Sequence, residues 1–412
     1  MATGRLAIDG GTPVRRTPFV TFNEAGGRTL GDEEIEAAER VIRSGMLSCT
    51  WGAETPALER EFAELVGSRH AVAASSGTAA LHLAVAAVDP EPGDEIITTP
   101  ISDFGTVIPI LAQNAVPVFA DVDPRTGIID PDSVLSKITP RTRAIIAVHL
   151  FGIPAPVARL REIADEHGIT LVEDCAQAYL TEPEPGRYAG GYGTVGCFSL
   201  QQTKHITAGD GGLVVTDDEA IARRMRLFAD KGWPRESGVR TYEFLGMNYR
   251  MTELVAAVAR AQLHKLRGVV DRRRDAALKF TELVGDLPGV SLPADPASAT
   301  YWMLPVVLDP ELAGGDNQAW TAALRAEGIL CGPGYIPRPL HLTDALTHRR
   351  TYGVSAFPIA DVHYGPGLCP VAERMVDSTL FTLAWNENYT DDDVTDIATA
   401  VRKVHTGLGD AR

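Results

Sequence analysis

From about residue 58 to residue 216 the chain alternates short apolar runs, rich in β-branched residues, with amphipathic stretches. HAVAA (70–74), DEIITT (94–99), VPVFADV (116–122), RAIIAVHL (143–150), ITLVED (169–174), VGCFSL (195–200) and GLVVT (212–216) read as strands. Several are apolar on both faces, the pattern of strands sandwiched between helix layers. TAALHLAVAAV (78–88), GTVIPILAQN (105–114) and APVARLREIADEHG (155–168) read as helices, the last closed by Gly168. This alternation predicts an α/β fold with a mostly parallel seven-stranded sheet covered by helices. The last two runs are joined only by a short Gly-rich connection, too short for the roughly dozen residues of a parallel crossover. One strand there is expected to be antiparallel.

Beyond the sheet, DDEAIARRMRLFADKG (217–232) reads as a helix, and a long helical pattern runs from about Met251 to Leu283. YWMLPVVL (301–308), NQAWTAALRAEG (317–328) and DDDVTDIATAVRKV (391–404) give the remainder an α+β character. The expected division is a large domain over 1–265, including the N-terminal segment, and a small domain over 266–412. A chain of 412 residues at 45% hydrophobic content buries a large core. Its net charge of -16 disfavours nucleic acid and anionic membranes in the absence of a basic patch. The run Arg272–Arg274 lies in the helical stretch and reads as a solvated face. The five cysteines stand singly, without CxxC or metal-ligand spacing, so no metal site and a reducing compartment are expected. With neither a signal-peptide core nor an apolar run approaching ~20 residues, a cytoplasmic location is expected.

The polar residues that interrupt the apolar runs carry the chemistry, because open parallel sheets bind ligands beyond their carboxyl ends. Ser75, Ser76, Gly77 and Thr78 open a helix with small residues, which makes either an ordinary cap or an anion cradle. Asp174 ends an apolar strand, where a carboxylate needs a cation or donors to offset desolvation. A helix cap, one of the 32 arginines or a ligand could supply them. Of the six lysines, five fall in helical patterns or at their exposed edges, whereas Lys204 lies in FSLQQTKHITAGDGG between two apolar strands. It is either a solvated loop residue or a nucleophilic amine. Together a phosphate cradle, a strand-end aspartate and a loop lysine meet the needs of pyridoxal 5'-phosphate (PLP).

In the same order, SSGTAALHLA, VEDCAQA, FSLQQTKHITAGDGGLVVT and NYRMTELVAAV resemble the DegT/StrS family of PLP-dependent sugar aminotransferases, over about residues 25–405. The resemblance implies a fold-type I aminotransferase and a homodimer with active sites at the subunit interface. It makes Lys204 the Schiff-base lysine and Asp174 the partner of the pyridine nitrogen. Gln177 falls beside the cofactor's phenolic oxygen, Phe104 stacks on its ring, and Ser76, Gly77, Thr78 and Ser199 surround its phosphate. Asn248 reaches the phosphate in the other subunit. Ser48, His149, Tyr179, Arg250, Tyr335 and His341 fall in segments that line the substrate pocket of relatives; His149 reads equally as a satisfied strand-end histidine.

The implied reaction moves an amino group from glutamate or glutamine to the ketone of a cyclitol or sugar, with LAIDGGTPVRRTPF and CPVAERMVDSTLF pointing to keto-cyclitols and aminocyclitol antibiotics. Other readings are a nucleotide-linked ketosugar as acceptor, a sugar dehydratase in which histidine replaces the lysine, and a non-catalytic PLP-binding regulator. Lys204 speaks against the dehydratase, and the lack of a basic module against the regulator.

Overall fold

The computed structural model describes residues 4–295 and 297–409. Seven strands form its main sheet: β1 (His70–Ala74), β2 (Glu95–Thr98), β3 (Val116–Phe119), β4 (Thr142–Val148), β5 (Thr170–Asp174), β6 (Val195–Ser199) and β7 (Gly212–Thr216). Their order is β1-β7-β6-β5-β4-β2-β3. β7 runs antiparallel to β1 and β6, and the other neighbours are parallel. Every residue of β6 and β7 is buried, as apolarity on both faces requires.

The helix expected over 105–114 is broken into a 3-10 turn, Phe104–Thr106, and a short α-helix, Ile108–Ala112. Pro109 lacks an N–H and is accommodated only in a first turn, so the helix begins anew beside it. Upstream, the helices Asp32–Ser44 and Glu54–Val66 each end on a left-handed glycine, Gly45 and Gly67, and pack on the long helix Glu253–Val284.

A second, antiparallel sheet comprises β8 (Val290–Ser291), β9 (Met303–Leu308), β10 (Cys331–Pro333) and β11 (Leu380–Ala384), in the order β10-β11-β9-β8. The 32-residue helix, roughly 48 Å long at 1.5 Å per residue, runs from one sheet's surroundings to the other's. Arg273 departs from the solvated reading of 272–274. It is 2% exposed and lies on the inner face with Val269, Val270, Ala277 and Phe280, which the helical period places beside it. Its Nε and Nη2 donate to Glu387 Oε2 at 2.9 and 2.6 Å, and Nη1 donates to the carbonyls of Tyr301, Trp302 and Trp385. Lys403, read as an exposed helix lysine, is likewise buried and paired with Glu327, which also accepts from the amides of Ala7 and Val14. Those bonds tie the N-terminal segment to the elements around the second sheet.

Candidate active site

β5 and β6 end side by side, so Asp174 and the loop carrying Lys204 meet at one edge of the sheet. They border a cavity of about 330 Å³, lined also by Gly77, Thr78, Asp103, Gly105, Thr106, Ala176, Ser199, Trp302 and Tyr335. Lys204 Nζ stands 4.3 Å from the centre of the Trp302 ring. Burial pushes its pKa down to about 8, while the carboxylates of Asp174 and Asp103 act in the opposite direction. The backbone of the lysine is held from outside the loop: Arg28 Nη2 donates to its carbonyl at 2.7 Å.

Asp174 is 4% exposed. One carboxylate oxygen accepts from Thr106 Oγ1 at 3.0 Å and the other from the Ala176 amide at 3.1 Å. These donors do not match its desolvation, and burial raises its pKa above the usual carboxylate range. A cation in the cavity would complete it. Opposite lies the N-terminus of the helix Gly77–Val88, capped by Ser76, whose Oγ accepts from Ala79 N. The helix's first backbone bond runs from Ala80 N to Ser76 O, which leaves the Gly77 and Thr78 amides ahead of the ladder. A Cβ at residue 77 would stand 2.7 Å from Ser199 Cβ, so only glycine lets the helix start this close to β6.

An anion cradle, an under-matched carboxylate and an amine of depressed pKa thus face one another across one cavity. The match to known proteins is of the same kind: residues 28–402 fit the DegT/DnrJ/EryC1/StrS aminotransferase family. The chain belongs to this family. It is similar to the L-glutamine:2-deoxy-scyllo-inosose aminotransferase of Streptomyces kanamyceticus, 40% identical over 82% of both chains. It is also similar to the enzyme of the same description from Streptoalloteichus tenebrarius, 36% identical over 99% of both. Among solved structures, S. venezuelae DesV in complex with a ketimine intermediate superimposes with a TM-score of 0.82 at 32% identity, covering 96% of this chain and 99% of that one. The chain is therefore a PLP-dependent aminotransferase, and its donor set fits the cofactor: amides for the phosphate, Asp174 for the ring cation and Lys204 for the aldehyde.

The other residues singled out in the sequence divide between the cavity and its surroundings. Ser199, Gly77, Thr78 and Tyr335 line it. Gln177 lies behind Tyr335, donating to its hydroxyl at 2.9 Å and accepting from Phe151 N at 2.7 Å. Phe104 is half-buried and packs on the main core, while its neighbours Asp103 and Gly105 face the cavity. His149, Tyr179 and His341 are enclosed and outside the lining. His149 Nδ1 accepts from Ala155 N, so Nε2 carries the proton given to Glu173. The Tyr179 hydroxyl donates to Ser199 O, and His341 Nε2 contacts Glu373. Ser48, Asn248 and Arg250 belong to another face, where Ser48 bridges Thr252, Asn248 bridges Asp230 and Arg250 pairs with Asp230.

Sequence reading missed Asp103, Thr106, Trp302 and Arg28. SDFGT held a signal for the first two, since a capping Asp and a Thr beside a glycine stand where the sheet opens. Trp302 and Arg28 reach Lys204 only through the tertiary fold.

In the cofactor-free protein, the amine of Lys204 is expected to be half deprotonated near pH 8, far below an ordinary lysine. Acylation by acetic anhydride, followed by peptide mass spectrometry, should show Lys204 reacting with a midpoint near that pH. A midpoint shared with surface lysines would contradict the burial argument.

Proposed function

We propose that this aminotransferase moves the amino group of glutamine to the ketone of a keto-cyclitol of the 2-deoxy-scyllo-inosose type, in aminocyclitol antibiotic formation. The observation that carries the acceptor class is the cavity's charge. Among its lining residues Lys204 is the only cation, with Asp103 and Asp174 as anions. A nucleotide-linked sugar brings a diphosphate that calls for arginine or lysine, whereas a neutral polyol is read by hydrogen bonds. The relatives named for 2-deoxy-scyllo-inosose support the same choice.

When bound, PLP supplies an aldehyde that exchanges with amines and a ring that takes up carbanion electrons. Lys204 would hold the aldehyde between turnovers, and its amine, once freed, would move a proton at the donor's Cα as base and then acid. Its depressed pKa leaves roughly a tenth of the amine free at pH 7, far more than an ordinary lysine has. Asp174 would keep the ring nitrogen protonated, and the Gly77, Thr78 and Ser199 cradle would hold the phosphate. Trp302 and Tyr335 shield the reacting atoms from water. The test is to load the enzyme with glutamine's amino group, remove the donor and offer either an inosose-type ketone or a nucleotide-linked ketosugar. Return of the yellow colour with the ketone alone is expected; return with the ketosugar alone would overturn the acceptor assignment.

The proposal includes a homodimer. Ile35, Ile42, Met46, Leu47, Trp51, Val239, Tyr242 and Leu245 are exposed, Trp51 by 73% and Leu245 by 84%. Five of them lie between residues 35 and 51, a segment tied to the start of the long helix through the Ser48–Thr252 bridge and the bond from Glu253 N to Leu47 O. Such an apolar surface is suited to a second copy, and in that dimer Asn248, itself exposed, would serve the neighbour's phosphate. Mixing Lys204→Ala with Asn248→Ala subunits should then restore activity above either parent, to about a quarter of wild type if exchange is random and each hybrid has one intact site. No recovery despite proven exchange would mean that each site is built from one chain.

A further inference from the structure

We infer that Asp103 is the residue by which the site selects a neutral polyhydroxylated acceptor and rejects an anionic one. This rests on the keto-cyclitol reading and deepens it. Asp103 is exposed, yet its side chain lines the same cavity as Lys204, Trp302 and Tyr335. Its Oδ1 accepts from Gly105 N at 2.7 Å, which caps the turn Phe104–Thr106 and fixes the carboxylate. Among the described residues, Oδ2 has no hydrogen-bond donor. Gly105 makes the arrangement possible, because a Cβ there would stand 2.8 Å from both Asp103 Oδ1 and Thr78 Oγ1.

Every other charge in the lining has a use within the reaction. Lys204 would be engaged with the cofactor and Asp174 with its ring nitrogen, which leaves Asp103 as the lining charge without an assigned partner. A fixed carboxylate with a free oxygen accepts hydrogen bonds from hydroxyl groups, and such charge-assisted bonds are about twice as strong as neutral ones. The same charge opposes a phosphate. Discrimination therefore comes from attraction to one class together with repulsion of the other. Among the described residues, the one hydrogen bond its side chain accepts is from Gly105 N, which a neutral amide oxygen could accept as well, so the turn does not require the charge.

The experiment uses Asp103→Asn and Asp103→Ala holoenzymes, with 2-deoxy-scyllo-inosose and a phosphate monoester of the same ketone as acceptors. Asn keeps an oxygen for the Gly105 amide and removes only the charge, whereas Ala removes the cap as well. Each half-reaction is followed by colour: loss with glutamine alone, return with acceptor alone. The expected result is that Asp103→Asn lowers the neutral-to-anionic ratio of kcat/KM by at least about tenfold. The visible spectrum of the substrate-free variant should also titrate at lower pH, since Asp103 and Asp174 are the carboxylates that favour the cation at Lys204. An unchanged ratio in Asp103→Asn, or a loss confined to Asp103→Ala, overturns the inference and assigns the residue to the turn. If wild type takes a nucleotide-linked ketosugar and not the neutral ketone, the acceptor reading fails first and the inference falls with it.

Discussion

Lys204→Ala is expected to fold, to bind no cofactor covalently and to lose turnover by roughly 10⁴-fold or more. The estimate reflects the loss of two functions from one atom, the attachment of the aldehyde and the proton transfer, where acid–base catalysis alone contributes about 10²–10⁴-fold. Borohydride reduction of wild type should fix the cofactor on the peptide containing Lys204 and on no other, and the variant should take up no label. Lys204 is the lysine that lines the cavity, whereas Lys265, Lys279 and Lys403 are held in ion pairs. Lys204→Arg should fail equally, because a guanidinium does not give up its proton at working pH. Label on another lysine, or turnover in the alanine variant, would remove the mechanism.

For Asp174→Asn, a loss of roughly 10²–10³-fold in kcat is expected, the usual effect of deleting one preorganised electrostatic group. A neutral amide cannot hold the ring nitrogen protonated. Stability should move the other way. The folded Asp174 carboxyl keeps its proton to higher pH than an unfolded aspartate, so its ionisation above the usual carboxylate range weakens the cofactor-free fold. Replacing it with Asn removes that penalty, and the cofactor-free variant should melt at pH 7 no lower than wild type. A sharp fall in melting temperature together with unchanged turnover would make the residue a structural ligand of Thr106 and Ala176.

The residues most legible in the sequence were those that break a strong local pattern. Asp174 and Lys204 stand out because apolar strands flank them and burying their charge is unfavourable unless something answers it. The sheet was legible for the same reason, its inner strands being apolar on both faces. That one of β6 and β7 runs antiparallel followed from the length of their connection; which of them does so came from the structure. What stayed hidden depends on partners distant in sequence. Arg273 looked like part of a basic stripe until Glu387 and three carbonyls closed around it. Arg28 lies 176 residues from the carbonyl it binds. Phe104 and Asp103 are adjacent, and which faces the cavity depends on the turn that Asp103 itself caps. His149 and Tyr179 lie near the site in the fold but spend their polar atoms on Glu173 and Ser199.

The long helix gives the catalytic chamber a single datum. Near its start Glu253 accepts from the amides of Glu54 and Thr55, locating the helix Glu54–Val66, and further along Arg273 grips the carbonyl of Trp302. The wall above Lys204 is thus surveyed from the same beam as elements on the flank of the main sheet. Tolerance in the chamber is set by one continuous backbone rather than accumulated over many joints. Changes at the rim, where Asp103 is anchored only by its own turn, can alter selectivity without shifting that reference.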